Sequence, residues 1–427
     1  MLTYLDRLNL SIAGKYIQDE LGFSTQTMGW IFSAFLLGYA LFQLPGGWVG
    51  DRYGPKNVLA IAILLWSLFT ALTGLAPRLS ISRWIGATTA FLLVRFMVGL
   101  GEAANSPNAA KIVSNWMGPR NRGVGSSFTI LGIGIGGAAT PPLIAWVMLR
   151  FGWRSSFYFS GLLGLFVVSL WQWYVTNTPE EHTGVNAQEL ALIHSGRESE
   201  SKAAASRNKV PWRRMLSSPS VWGLVLGYLC QGYPIYFFHT WFFIYLIRVR
   251  HLSIRQGGLW GAAPYLAIAA LAPLGGLFSD LAVRKLGKRA GRRLSVWCGM
   301  LPSGLLLWIG SGMASRASAI ILLAAAAGLN MFAATTFWAT CIDLTEQFTG
   351  SLSGLMNTFG NLGGWLSPIV TAYVATHANW NLALDCAALV SILSAVSFAF
   401  VKADRNLDAK LRVQPGESPA PRPAPAL

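Results

Sequence analysis

Five ionisable residues interrupt the apolar first half of the chain at spacings that let them act together. Asp6 and Arg7 stand side by side in YLDRLNLS, Lys15 follows, and Arg95 and Glu102 share the stretch FLLVRFMVGLGEAANSPN. Seven residues make two helical turns, so Arg95 and Glu102 project from one face about 10.5 Å apart along the axis. Asp6 and Arg7 lie roughly 100° apart around their own helix, so one can face a central cavity while the other faces a neighbouring helix. A charged side chain at the centre of a bilayer costs roughly 2.5–3.5 kcal/mol on insertion scales, which makes each of these a functional candidate. An arginine fork donates two parallel hydrogen bonds to a carboxylate and stays charged. Arg7 and Arg95 are therefore read as anion receptors, with Asp6 paired to a cationic or polar neighbour. Burial favours the neutral form of a carboxyl, so Glu102 is the natural proton carrier and Asp6 a second one. The plainer reading is a set of structural ion pairs that fasten the first helix to the fourth.

These residues need a membrane around them for that reasoning to hold, and the composition supplies it. Of 427 residues, 53% are hydrophobic and 12% charged, with 45 Gly and 18 Trp. A soluble domain carries about twice that charged fraction, and Gly and interfacial Trp are enriched in membrane helices. A spanning helix needs roughly 20 apolar residues. Twelve such segments are expected, near 1–18, 27–49, 57–76, 84–110, 121–148, 154–176, 219–246, 256–282, 292–313, 317–343, 350–376 and 379–401. The polar stretch between the sixth and seventh divides them into two halves. The expected organisation is a six-helix bundle over 1–176, a central loop over 177–218, a second six-helix bundle over 219–402 and a disordered Pro-rich tail over 403–427.

The formal net charge of +16 is explained by topology. Of 33 Lys and Arg, 22 fall in one set of alternate loops and the tail, eight in the opposite set and three within helices. Such a bias places both termini and the central loop in the cytoplasm; RVRHLSIR at 248–255 is the one opposite loop that resists it. Nucleic-acid binding is excluded as the meaning of the charge. Cys230, Cys298, Cys341 and Cys386 lie in apolar stretches without CxxC spacing and read as buried fillers. Only five residues precede Asp6, so the first helix is expected to be truncated at its N-terminus, with roughly 15–25 further residues upstream completing a spanning length.

The halves repeat a loop. GGWVGDRYGPKNV (46–58) follows the second helix and GGLFSDLAVRKLGKR (275–289) follows the eighth, aligning Gly46 with Gly275 and Asp51 with Asp280. An acid-then-basic turn at matching positions signals internal duplication. Asp51, Arg52, Gly54, Lys56, Asp280 and Arg284 are expected to serve gating and topology, with Asp51 and Arg52 as latch candidates. GDRYGPK and the whole twelve-helix plan resemble the major facilitator superfamily. YLDRLNLS, GYALFQLPGGW, RFMVGLGEA and the central-loop PEEHTGVNAQEL are similar to its anion:cation symporter branch, which includes galactonate, glucarate, hexuronate, tartrate and phthalate carriers.

That resemblance implies an all-α membrane protein of two pseudo-symmetric six-helix bundles, importing a small organic carboxylate by proton symport through alternating access. It implies Asp6 and Glu102 as proton-coupling acids and Arg7, Arg95, Tyr4 and Tyr39 as carboxylate- and hydroxyl-binding positions. In the second half, TTFWAT and MNTFGNLGGW would put Trp338, Asn357 and Asn361 where polar groups of a substrate are read. The expected setting is a multi-pass plasma-membrane monomer, in a bacterial inner membrane. It would be driven by the proton gradient without cofactor or metal, its partners a carboxylate, protons and lipid. The fifth helix, LGIGIGGAATPP, lacks the GP-x-x-GG pattern of drug/proton antiporters. An anion exchanger or efflux carrier is the rival within transport. A membrane-embedded enzyme or sensor is the rival outside it, without HExxH, nucleophile elbow, Walker loop or ligand cluster to support it.

Overall fold

The computed structural model describes residues 1–78, 82–117, 122–194, 211–345, 348–405 and 407–408, leaving aside the side chains of residues 83 and 122–130. Residues 195–210 of the central loop, Glu346 and the Pro-rich stretch beyond 408, with its expected disorder, lie outside the described residues.

Twelve long helical passes follow the apolar runs. They are α1 (Leu2–Leu21), α2 (Thr25–Tyr53), α3 (Pro55–Leu75), α4 (Ser82–Ala103, continued by Asn105–Trp116), α5 (Arg122–Phe151) and α6 (Trp153–Tyr174). After the central loop come α7 (Pro219–Thr240, continued by Phe242–Arg248) and the long stretch Ala263–Gly312, which breaks at Gly287 into α8 (263–286) and α9 (288–312). The last three are α10 (Arg316–Leu344), α11 (Thr349–His377) and α12 (Trp380–Phe398). Among the described residues, eight helical stretches are long and apolar enough to cross a membrane, one of them holding both α8 and α9. The passes outside that set are α1, α7 and α11, whose polar side chains meet between the two halves.

Glycine marks the duplicated turn in both halves. Gly54 has φ 85° between α2 and α3, and Gly287 has φ 78° between α8 and α9. A side chain with a Cβ is disfavoured there, so each signature loop reverses on a glycine, three residues after Asp51 in the first half and seven after Asp280 in the second. Asp51 accepts from Lys111 Nζ of the α4 continuation at 2.7 Å. In the second half Arg292 donates to Asp343 at 2.8 Å and to Asp280 at 3.2 Å, and Lys288 reaches Asp343 at 3.1 Å. Arg52 lies over the rings of Trp48 and Tyr53, the Lys56 backbone N–H donates to Asn177, and Arg284 is exposed. The loop residues thus tie together helix ends within their own half.

The halves touch mainly toward the face opposite these loops. Gly29 of α2 abuts Pro368 and Ala372 of α11, Gly14 of α1 abuts Ile244, and Gly258 abuts Ala145 and Pro141 of α5. Ser11 donates to the Thr240 carbonyl at 2.5 Å, and Arg248 donates to Asp19 at 3.1 Å. Small residues let helix backbones approach closely. Asn9 is bound within the first half: it donates to Ser160 at 3.0 Å and accepts from Ser156 at 2.7 Å, both on α6. The basic loop 248–255 has a structural explanation. Arg250 donates to the Met313, Gly310 and Ser311 carbonyls and to the Tyr245 hydroxyl, closing the C-terminal end of α9.

Candidate functional site

The crossing of α2 and α4 positions the charges. Gly38 packs on the Phe96 carbonyl and Gly99 on the Phe35 carbonyl, so each helix presses a glycine against the other's backbone. That contact fixes Phe35, whose ring has the Arg7 guanidinium on it at 5.2 Å and the Arg95 guanidinium at 5.2 Å. Arg7 also lies over Tyr39 at 4.8 Å and Tyr4 at 5.8 Å. Tyr39 is held by its hydroxyl contact with Ser106 at 3.0 Å.

Arg7 reaches Glu102 with two nitrogens, Nε and Nη2, both 2.5 Å from Oε1. The Glu102 side chain is 1% exposed and that of Arg7 15%. Asp6 and Arg95 are buried behind this pair, and Asp6 lies within electrostatic reach of Arg95 and Glu102. Two acids and two bases therefore share one buried cluster of zero net formal charge. Five of its polar atoms have no hydrogen-bond partner among the described residues: both Asp6 carboxylate oxygens, Arg95 Nε and Nη1, and Glu102 Oε2. Sequence spacing leaves Arg7 and Arg95 both available to an anion. The structure instead gives Arg7 an internal carboxylate, and only Arg7 of the four borders open space.

That space is a cavity of about 150 Å³ between the halves. Tyr4 and Arg7 line it from α1, and Tyr228, Gln231, Tyr236 and His239 from α7. Tyr265 of α8, Met331 of α10 and Asn357 and Asn361 of α11 complete its polar and soft wall. Tyr4 meets His239 and Tyr265 edge-on at 5.5 and 6.2 Å. Both asparagines donate to Gln43 Oε1 of α2, at 3.1 and 3.3 Å, so they bridge the halves at the cavity rim. Gln231 donates to Asn330 at 2.6 Å.

The expected residues divide accordingly. Tyr4, Arg7, Asn357 and Asn361 line the cavity; Glu102 adjoins it through Arg7. Arg95 and Tyr39 stand behind it, and Trp338 lies off it, half-exposed and donating to the Tyr228 hydroxyl at 3.0 Å. The signature residues Asp51, Arg52, Gly54, Lys56, Asp280 and Arg284 sit at helix ends away from it. The α7 wall was missed by sequence reasoning, although a signal exists: Tyr228, Gln231, Ile235 and His239 recur every three or four residues, one stripe of a helix.

Relatives agree with this architecture. A Cupriavidus necator protein named "Probable sulfoacetate transporter SauU" is 31% identical over 374 residues, covering 87% of this chain and 84% of its own. The Escherichia coli protein named "Probable galactarate/D-glucarate transporter GarP" is 31% identical over 414 residues, covering 94% and 92%. Among solved structures, a bacterial homologue of the human lysosomal transporter Spinster superposes with a TM-score of 0.74 at 16% identity, covering 97% of this chain and 96% of its own. The Escherichia coli xylose transporter XylE gives 0.70 at 15%, covering 96% and 97%. With residues 1–368 and 251–426 also matching the Major Facilitator Superfamily, the chain belongs to that superfamily, in its anion-transporter branch, and is a multi-pass membrane transporter.

Proposed function

We propose that the protein imports a small organic acid together with protons, by rocking of its two halves about the cavity. The observation that carries this reading is the Arg7–Glu102 pair at the cavity wall, with Asp6 and Arg95 buried behind it. An anion at Arg7 competes with the Glu102 carboxylate for the same guanidinium. A proton on Glu102 removes that competitor and frees Nε and Nη2 to donate to the substrate. The proton and the substrate's charge thus enter the site as a neutral pair. The names of the relatives, sulfoacetate and galactarate/D-glucarate transporters, point to organic acids as the cargo.

The same reading takes the plasma membrane as the setting, with both termini, the central loop and the signature loops in the cytoplasm, following the 22-to-eight bias of basic residues. The face where the halves touch is then the outer one, and the signature-loop face opens inward. No cofactor is invoked; the proton gradient drives accumulation, and the protein works as a monomer.

External pH in lightly buffered, de-energised cells expressing the protein tests this. Galactonate, glucarate, glucuronate, tartrate, phthalate, sulfoacetate and neutral sugars are added in turn. Alkalinisation on an organic acid and silence with neutral sugars is expected. Silence across the panel, with the protein confirmed in the membrane, would remove proton symport and leave exchange or efflux.

A further inference from the structure

A second hollow lies outside the central cavity, on the lipid-facing side of the seam between the halves. It measures about 630 Å³ and is lined by Pro142, Ala145, Trp146, Leu149 and Arg150 of α5 with Arg255 and Leu259 of the short helix Ile254–Gly261. The two walls have matched profiles. Arg150 sits at the end of α5 on the face opposite the signature loops, and Trp146 lies four residues deeper on the same helix side. Arg255 sits at the start of Ile254–Gly261 on that same face, and Leu259 lies four residues deeper. Four residues are one turn, about 6 Å, so each wall places a guanidinium at the level of lipid headgroups and an apolar side chain at the level of the first acyl carbons.

The arginines are notable because neither has a carboxylate or carbonyl acceptor among the described residues. Their neighbours on this face are paired: Arg154 with Glu20, Arg248 with Asp19 and Arg250 with the end of α9. Trp146 is 56% and Leu259 63% exposed, so the groove is open to whatever surrounds the protein. From this we infer that the groove is a binding site for an anionic phospholipid, the phosphate held between Arg150 and Arg255 and a chain lying along Trp146 and Leu259. A guanidinium pair matches a phosphate in charge and geometry, and the apolar floor selects a lipid over a free anion. Because one wall belongs to each half, and Gly258 and Gly261 pack directly on Pro141 beneath, a bound lipid clamps the seam in the closed arrangement seen here.

Native mass spectrometry of the purified, delipidated protein titrated with phosphatidylglycerol or phosphatidylcholine tests the site. Wild type is expected to retain one more phosphatidylglycerol than Arg150→Gln/Arg255→Gln, with each arginine contributing roughly fivefold in affinity. Arg255→Gln alone should fall between, and Trp146→Ala should weaken lipid retention while keeping the preference for the anionic headgroup. Both arginines are exposed, so elution as a single monodisperse species is expected for every variant. Equal retention by the double variant, or equal retention of phosphatidylcholine by wild type, overturns the inference. Displacement of the lipid by millimolar inorganic phosphate also overturns it, in favour of a free-anion site.

Discussion

Replacing Glu102 by Gln separates the two properties that the Arg7–Glu102 pair combines. The amide keeps the shape and removes the charge, leaving the buried cluster with Asp6, Arg7 and Arg95 and one net positive charge. Removing one partner of a buried pair costs about 3–5 kcal/mol. Arg7 retains some exposure and lies over three aromatic rings, so the lower end, about 3 kcal/mol, is expected for the empty protein. An anionic substrate then supplies the missing charge. Two unit charges about 4 Å apart interact by about 4 kcal/mol at an effective dielectric near 20. In wild type most of that gain is offset by displacing Glu102; in the variant it is not. If only a third is recovered, binding tightens about tenfold. Thermal shift with and without substrate, and titration calorimetry at about pH 6 and about pH 8, read both effects. The variant should be less stable when empty, gain more stability from substrate than wild type, and bind equally well at both pH values. Counterflow exchange should persist while pH-driven accumulation is lost. Uphill uptake with the wild-type pH dependence would remove Glu102 from coupling, and weaker binding at both pH values would mean that Arg7 does not hold the anion.

Other perturbations probe the surroundings of that pair. Arg95→Lys, read by thermal shift and calorimetry, should cost stability, because a point charge replaces a fork beside Asp6, and weaken substrate binding less than Arg7→Lys does; an equal loss of affinity would place Arg95 in contact with substrate. Asp19→Asn cuts the ion pairs to Lys15 and Arg248; these are exposed and worth under about 1 kcal/mol each, so a modest widening between spin labels at the outer ends of α1 and α7 is expected by pulsed electron resonance. Gly99→Val forces a side chain into the Phe35 carbonyl, and about 1–3 kcal/mol or more of overpacking should appear as reduced thermal stability and reduced uptake together. Among the described residues Arg7 is the one arginine or lysine on the cavity wall, so competition assays should rank a monoanion such as galactonate above the dianion galactarate by at least severalfold.

The helices were legible because apolar run length is a property of sequence alone. Twelve segments were expected and, among the described residues, twelve passes lie near their places, the largest differences being the start of α8, expected at 256 and found at Ala263, and the end of α4, expected at 110 where the helix breaks after Ala103 and its continuation runs to Trp116. The two loops were legible as a repeated acid-then-basic motif, but their turning glycines fall at different offsets, Gly54 three residues after Asp51 and Gly287 seven after Asp280. Pairing was not. The 100° offset puts Arg7 on the cavity wall and Asp6 behind it, yet nothing local says that Arg7 meets a carboxylate 95 positions away. Arg95 and Glu102 share a helix face, but Arg7 from α1 closes on Glu102, while Arg95 has the Phe35 ring of α2 against its guanidinium. The α7 wall was overlooked because tyrosine, glutamine and histidine in an apolar helix look like packing until the helix rotation is known. The exceptions to the charge bias, Arg248 and Arg250, needed their acceptors on other helices to be understood.

On the function proposed above, neutrality would link the buried cluster to the transport cycle. Moving an isolated ion from water into a low-dielectric interior costs several kcal/mol even after relaxation, and the cluster avoids this by holding two acids against two bases. The empty site is neutral with Glu102 ionised on Arg7. A loaded site stays neutral only if each substrate charge arriving at Arg7 is matched by a proton on Glu102 or Asp6. The mixed states, substrate without proton or proton without substrate, leave one uncompensated charge in the cluster as the halves rock. They are therefore penalised in the crossing step itself, whichever ligand binds first. Coupling of this kind needs no dedicated relay between distant sites. It would follow from placing the proposed anion receptor, Arg7, and the proposed proton acceptor, Glu102, within one hydrogen bond of each other, where a change in the charge of either is felt by the other.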